Sequence, residues 1–337
     1  MLKNMVKLGK KSVGPDTAPY IVAEAGSNFD QDLDKARKLI DIAAEAGANA
    51  VKFQLFSADI LYPNKDGLHH IFKALELNPD WLPGLKAHSE ERGLDFLASA
   101  FDAVSVDTLE NLNICAFKIA SSETTNHKLL LKVASTGKPL ILSTGMCDMI
   151  DVQQAVEICL EAGNAQLILL QCGAVYPLDI GNSNLSVIKS FAERFRCPVG
   201  FSDHTIDNTA AITAVGVGAT VFEKHFTISK QDKGPDHFYA LEPNELKIYV
   251  NSIHQAFEAL GSKEKQMLLE EKELGRRDGL YFAKSLTKGH VITEEDIKVE
   301  RPAKGLRARH FKTVVGATLR EGVGNGQPVD WCLISMV

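Results

Sequence analysis

ATVFEKHF, residues 219–226, decides the reading of this chain. It begins as a buried β-strand begins, with small and β-branched residues. It then places Glu223, Lys224 and His225 where the apolar run should finish. An unpaired charge is costly to bury, so ionisable groups at the end of a core strand imply solvent or chemistry there. If the chain repeats this pattern, the groups belong to one shared pocket.

Working outward, seven more runs of the same kind precede it: YIVAEAG (20–26), NAVKFQLF (49–56), LDFLASAF (94–101), CAFKIAS (115–121), PLILSTG (139–145), AQLILLQC (165–172) and CPVGFSD (197–203). Amphipathic segments separate them, among them DLDKARKLIDIAAEAG and MIDVQQAVEICLEAG, each closing on a glycine suited to a left-handed helix cap. Near-continuous apolar strands alternating with helices describe a parallel sheet covered on its outer face. Eight such units are the size of a (β/α)₈ TIM barrel. The other α/β arrangement, an open doubly wound sheet, calls for a glycine-rich loop after the first strand. YIVAEAGSN has none.

The sequence predicts a barrel over 1–262, a charged linker over 263–279 and a small, mostly β domain with a short helix over 280–337. A domain of that size is marginal alone and is expected to dock on something. The net charge of −6, without a basic block, argues against a nucleic-acid binder. No apolar run is long enough for a bilayer, and the N-terminus lacks the apolar core of a secretory signal. The six cysteines show no CxxC pairing and several lie in apolar runs, the pattern of reduced, buried thiols in a cytoplasmic protein.

In a barrel of this kind, active sites gather where the strands end. Those ends supply Glu24 and Asn28, Lys52 and Gln54, Lys118, Ser121 and Glu123, Ser143 and Thr144, Ser202, Asp203 and His204, then Glu223, Lys224 and His225, followed by Asp236 and His237. Any one has an ordinary structural explanation, such as turn chemistry for the serine in STGM. Their accumulation at one face favours function, with Glu223 to His225 as one wall of the pocket. Two lysines with hydroxyls and backbone N–H groups suit a phosphate or a phosphate-carboxylate. His204 and His225 end neighbouring strands, so both imidazoles could reach one divalent ion with coordination positions left open.

With these residues in hand, the chain resembles the sialic acid (nonulosonate) synthase family. The resemblance rests on IVAEAGSN, AVKFQLF, FKIASSE, ILSTGM, LQCGAVYPL, VGFSDHT, FEKHFT, KGPDHFYALEP and ERPAKG, in that order along nearly the whole chain. AKSLTKGHVITEEDI with RPAKG looks like the family's antifreeze-like (SAF) domain. The resemblance implies condensation of phosphoenolpyruvate with an N-acetylated aldose to a nine-carbon 2-keto acid. N-acetylmannosamine and a 2,4-diacetamido-trideoxyhexose are the candidate acceptors. It assigns Lys52, Lys118, Ser121, Ser143 and Ser202 to the phosphate, and Gln54 to the substrate side. His204 and His225 fall to a divalent metal, Mn²⁺ first and Mg²⁺ or Co²⁺ next. Glu24 falls to proton transfer, and Glu123 and Asp236 to the sugar site. Tyr176 and Arg301 fall near the N-acetyl group, with Arg301 reaching the barrel of the other subunit in a domain-swapped homodimer. Phe29, Ala174, Ser122 and Ala303 depart from the family pattern, and the first two bear on the identity of the sugar. The alternative readings are another phosphoenolpyruvate-dependent 2-keto-3-deoxy acid synthase and a non-catalytic binding paralogue.

Overall fold

The computed structural model describes residues 1–65 and 67–336, which form two compact units, Met1–Gly261 and Ser262–Val337. A short antiparallel hairpin, β1 (Val6–Leu8) and β2 (Lys11–Val13), precedes the barrel strands. These are β3 (Tyr20–Gly26), β4 (Ala50–Leu55), β5 (Asp95–Ala100), β6 (Phe117–Ile119), β7 (Leu140–Ser143), β8 (Leu167–Cys172), β9 (Val199–Asp203) and β10 (Val221–His225). All eight predicted runs are strands, each a residue or more shorter than its apolar run except the first. They pair in parallel and in chain order, and β10 closes on β3 to complete a TIM barrel.

The helices form where the sequence marks their ends. Asp32 accepts hydrogen bonds from the backbone N–H groups of Asp34 and Lys35 and starts helix Leu33–Ala46, which Gly47 ends at φ 85°. Asp148 and Asp151 form a capping box at the start of helix Met149–Glu161, and Gly163 follows its end at φ 80°. Outward-facing strand residues such as Val51, Phe53, Phe117, Leu142, Phe201 and Phe222 pack with helix residues such as Leu39, Ile40, Val133 and Val250 into one apolar layer. Among the described residues no helix is long and apolar enough to cross a membrane.

Inside the barrel the chemistry changes along the axis. Tyr20, Val22, Ala50, Leu97, Ile141, Ile168, Leu170 and Val221 fill the N-terminal half, and Val6, Leu8 and Val13 of the hairpin join the same cluster. The hairpin therefore plugs the floor. Its turn glycine, Gly9, lies at φ 51°, where a Cβ would stand 2.1 Å from a carboxylate oxygen of Asp95. That carboxylate also accepts a 2.7 Å hydrogen bond from Tyr20 at the barrel's base. One residue pair further along the strands, the inward positions turn polar.

The second unit contains helix Leu269–Glu273, then β11 (Gly279–Phe282) paired with β12 (Ile297–Glu300) and β13 (Thr318–Leu319) paired with β14 (Ile334–Ser335). A four-residue helix, Phe311–Val314, completes it. Its own small core includes Leu280, Phe282, Ile292, Val314, Leu319 and Val329.

Candidate active site

Successive strand residues face opposite sides of a sheet, and this alternation sorts the strand-end polar groups. On β10, Val221 joins the interior cluster and Phe222 the helix-facing layer. Glu223 and His225 therefore face the axis while Lys224 faces outward. Lys224 does not contribute to the pocket wall, contrary to expectation. It is buried between barrel and helices, 3.2 Å from Asp203, which faces outward from β9 for the same reason.

The inward groups make a chamber of 50 Å³ lined by Glu24, Lys52, Gln54, Ser99, Lys118, Ser121, Ser143, Cys172, Tyr176, Ser202, His204, Glu223 and His225. Lys52 Nζ lies 2.7 Å from Glu24 and 3.7 Å from Glu223, and donates to Ser99 Oγ at 2.9 Å. Lys118 Nζ lies 3.2 Å from Glu223, whose carboxylate also accepts from Ser202 Oγ at 3.0 Å. Gln54 donates to Glu24 at 3.0 Å. Ser121 Oγ accepts from the Gly145 backbone N–H at 2.9 Å, while the buried Ser143 Oγ has no hydrogen-bond partner.

Burial by itself would raise the Glu223 carboxyl, but the ammonium groups of Lys118 and Lys52 outweigh it and hold the acid at about 2. For Lys52 burial pulls the pKa down, and Glu223 and Glu24 more than restore it. Lys118, with Glu223 against it but Lys52 nearby, stays below the ordinary lysine value because burial dominates. Cys172 is pushed up by burial, so the thiol remains protonated and is a poor nucleophile.

At the mouth, the rings of His204 and His225 lie 5.5 Å apart, with Tyr176 centred 4.1 Å from the first and 5.9 Å from the second. His204 Nδ1 is 2.8 Å from the Gly173 carbonyl, which can only accept; that nitrogen carries the proton and Nε2 keeps its lone pair. Burial, then the neighbouring His225, pulls the His204 pKa down to about 3, so the imidazole is neutral, the form that binds metals. His225 Nδ1 is buried without a hydrogen-bond partner. A Cβ on Gly26, which lies at φ 55°, would stand 3.5 Å from that nitrogen and 3.3 Å from Asp236, so the glycine keeps the space between them open. Among the described residues no three His, Cys, Asp or Glu side chains form a metal cage. Two imidazoles, one fixed by a carbonyl and one with an orphaned nitrogen, nevertheless fit a divalent ion that keeps open positions.

Beyond the histidines an adjoining hollow of 220 Å³ is lined by Gln54, Tyr176, His225, Asp236 and Tyr239 together with the apolar Phe56, Ile71, Phe72 and Leu75.

Two sequence expectations meet a different geometry. Glu123 does not line the chamber: it lies in the turn Ser121–Glu123 and accepts a 3.0 Å hydrogen bond from Asn126. Phe29 does not line either hollow: it is fully buried in the helix-facing layer, its ring 6.3 Å from Phe53 and 6.2 Å from Trp81. Ala174 lies beside Gly145, its Cβ 3.1 Å from where a side chain on that glycine would begin. Arg301 belongs to the second unit, where Asp278 holds it at 2.6 Å. Sequence reading left Ser99 and Cys172 among the core, whereas Glu223 lines the chamber as the expected pocket wall. The signal for Ser99 and Cys172 was spacing by two from Leu97 and Leu170.

Comparison with known proteins agrees with this geometry. Residues 39–265 match the NeuB family, and residues 277–334 match the SAF domain. The N,N'-diacetyllegionaminic acid synthase of Legionella pneumophila is 37% identical, with 96% of each chain covered. The pseudaminic acid synthase of Helicobacter pylori is 32% identical over 88% of this chain and 92% of its own. The crystal structure of an N-acetylneuraminic acid synthetase from Leptospira borgpetersenii superposes with a TM-score of 0.76 at 30% identity, covering 81% of this chain and 95% of its own. The chain belongs to the NeuB family: it is a phosphoenolpyruvate-dependent nonulosonate synthase with a C-terminal SAF domain.

Proposed function

We propose that the acceptor of this synthase is a 2,4-diacetamido-trideoxyhexose in its open-chain aldehyde form. The observation that carries the reading is the apolar wall of the outer hollow. Phe56, Ile71, Phe72 and Leu75 line it together with Asp236 and Tyr239. A deoxygenated sugar with a methyl terminus and two acetyl groups can cover such a wall, whereas the hydroxyls of N-acetylmannosamine would be stripped of water against it.

The reaction joins C3 of phosphoenolpyruvate to the aldehyde carbon. Water adds at C2, and phosphate leaves by cleavage of the C2–O bond, giving the 2-keto acid. In the inner chamber Lys52 and Lys118 neutralise the phosphate, and the free hydroxyl of Ser143 donates to it, with Ser121 and Ser202 beside them. Glu24, held by Lys52 and Gln54, takes the proton of the water that adds at C2. Asp236 and Tyr239 orient the acceptor, and Tyr176 separates the two substrates at the mouth. His204 and His225 would hold the divalent ion, Mn²⁺ by preference, which when bound polarises an aldehyde. Glu123 is left with a role in shaping the loop after β6, and Arg301 is assigned to the acceptor's acyl side in a dimer that exchanges its small units. The family resemblance supports that assignment, and sedimentation of the purified protein tests the dimer.

The test of function is phosphate release from phosphoenolpyruvate with Mn²⁺ across a panel holding N-acetylmannosamine, mannose and the 2,4-diacetamido-trideoxyhexoses. A His225→Ala variant is the control. Release with a diacetamido sugar, abolished in the variant, supports the reading. Faster release with N-acetylmannosamine overturns the acceptor assignment. Binding of phosphoenolpyruvate without release for any sugar leaves the non-catalytic paralogue.

A further inference from the structure

Lys224 and Asp203 are direct partners across the β9–β10 pair, and both side chains are withdrawn from solvent, 2% and 0% exposed. A buried ion pair is seldom worth more to stability than a well-packed apolar pair of the same volume, so its presence here asks for another reason. The contacts supply one. Asp203 Oδ1 accepts from the Thr205 backbone N–H at 2.8 Å and from its hydroxyl at 2.7 Å. Lys224 Nζ also donates to the Thr205 carbonyl, and its ammonium stands 5.5 Å from the Tyr249 ring. The backbone is thus tied on both sides of His204 where β9 ends, beside the 2.8 Å bond that the Leu178 N–H donates to the His204 carbonyl. The side chain that ties it belongs to the residue immediately before His225.

We infer that the Lys224–Asp203 pair is a positioning clamp that fixes the spacing of the His204 and His225 imidazoles. Neither residue faces the chamber. Lys224 acts by pinning residues 203 and 205 to its own strand, which leaves the His204 ring free only to turn toward Gly173, where its Nδ1 proton is bonded. Removing the clamp loosens the end of β9 and the imidazole it carries. The inference rests on the reading of these histidines as metal ligands, and its test separates the two.

The experiment uses the full chain as Lys224→Met and as the double variant Asp203→Asn with Lys224→Met. The double variant removes both charges but keeps an oxygen for Thr205, so stability lost in the single variant should return. Two signals are followed: Mn²⁺ binding by electron paramagnetic resonance, and the His204 Nδ1–H resonance in ¹⁵N-histidine spectra of the metal-free protein. In both variants Mn²⁺ affinity should fall about tenfold or more, the range for lost support of a metal ligand. The Nδ1–H resonance should broaden beyond detection. Wild-type Mn²⁺ affinity and an intact resonance in the double variant would reduce the pair to a packing role and overturn the clamp. If the wild type binds no Mn²⁺ yet loses the resonance when Lys224 is replaced, the metal reading fails and the clamp stands. An unchanged resonance in both variants overturns the clamp whatever the metal does.

Discussion

Lys118 and Glu223 stand on β6 and β10, four strands apart whichever way the barrel is followed, yet their charged ends meet at 3.2 Å. The pair spans the axis. Lys52 reaches the same carboxylate from a third strand, at 3.7 Å. On the proposed placement of phosphate, Glu223 lies between the two ammonium groups that would receive it, so it stabilises the chamber and would compete with the ligand.

Replacing Glu223 with Gln should therefore weaken the free protein while strengthening its response to phosphate. The loss of stability, read by urea denaturation, should be about 3 kcal/mol, because two buried ammonium groups lose part of their compensation. The rise in melting temperature on adding phosphate should be larger than in the wild type. An equal or smaller rise would mean that Glu223 does not compete for the lysines.

The same carboxylate sets an acid dependence. Its folded-state pKa of about 2 lies below the ordinary 4.5, so its contribution to stability is complete above about 4.5 and is lost as pH falls through about 2. Stability measured between pH 5 and 2 should fall less steeply in Glu223→Gln than in the wild type. Parallel curves would remove Glu223 from the acid response.

Lys52→Met and Lys118→Met should each weaken phosphoenolpyruvate binding about 10- to 150-fold, the worth of one charge-assisted hydrogen bond of 1.5–3 kcal/mol. Isothermal titration checks this. Binding of the acceptor sugar, which the outer hollow should hold without either lysine, should change little.

Gly26→Ala introduces a Cβ at φ 55°, 3.3 Å from Asp236 and 3.5 Å from His225 Nδ1. Strain costs about 1 kcal/mol or a little more. The larger effect should be on Mn²⁺ affinity, because the added methyl fills the space beside the orphaned nitrogen. A variant that loses stability but binds Mn²⁺ as the wild type does would place the ion on the other side of His225.

Gly200→Ala tests barrel closure. A Cβ there would stand 2.1 Å from the Val221 carbonyl oxygen and 2.6 Å from Leu170, and backbone cannot retreat as a side chain can. The variant should lose about 3 kcal/mol or fail to accumulate as folded protein, as read by thermal unfolding.

The barrel was legible because its strands are buried on both faces and so appear as unbroken apolar runs. That same property hides direction. In a run such as AVKFQL nothing in the apolar residues says which parity faces the axis, and only the structure separates Lys52, turned inward, from Phe53, turned to the helices. Lys224 was misread as a pocket residue for this one reason. Phe29 was misread because a loop residue one position past Asn28 can face either way. The floor hairpin was missed because VKLGKKSV offers only two three-residue strands around a glycine, too short for a periodic signal. Motif order, in contrast, carried the family, since it needs no knowledge of direction.

The floor hairpin makes the barrel a blind well. With Val6, Leu8 and Val13 sealing one end, traffic through this unit is last in, first out. On the proposed placement, phosphoenolpyruvate lies deepest and arrives before the sugar does. On the same placement, phosphate leaves only after the keto acid above it. A plug of three apolar side chains at one end of the barrel would thus impose a kinetic order on chemistry at the other.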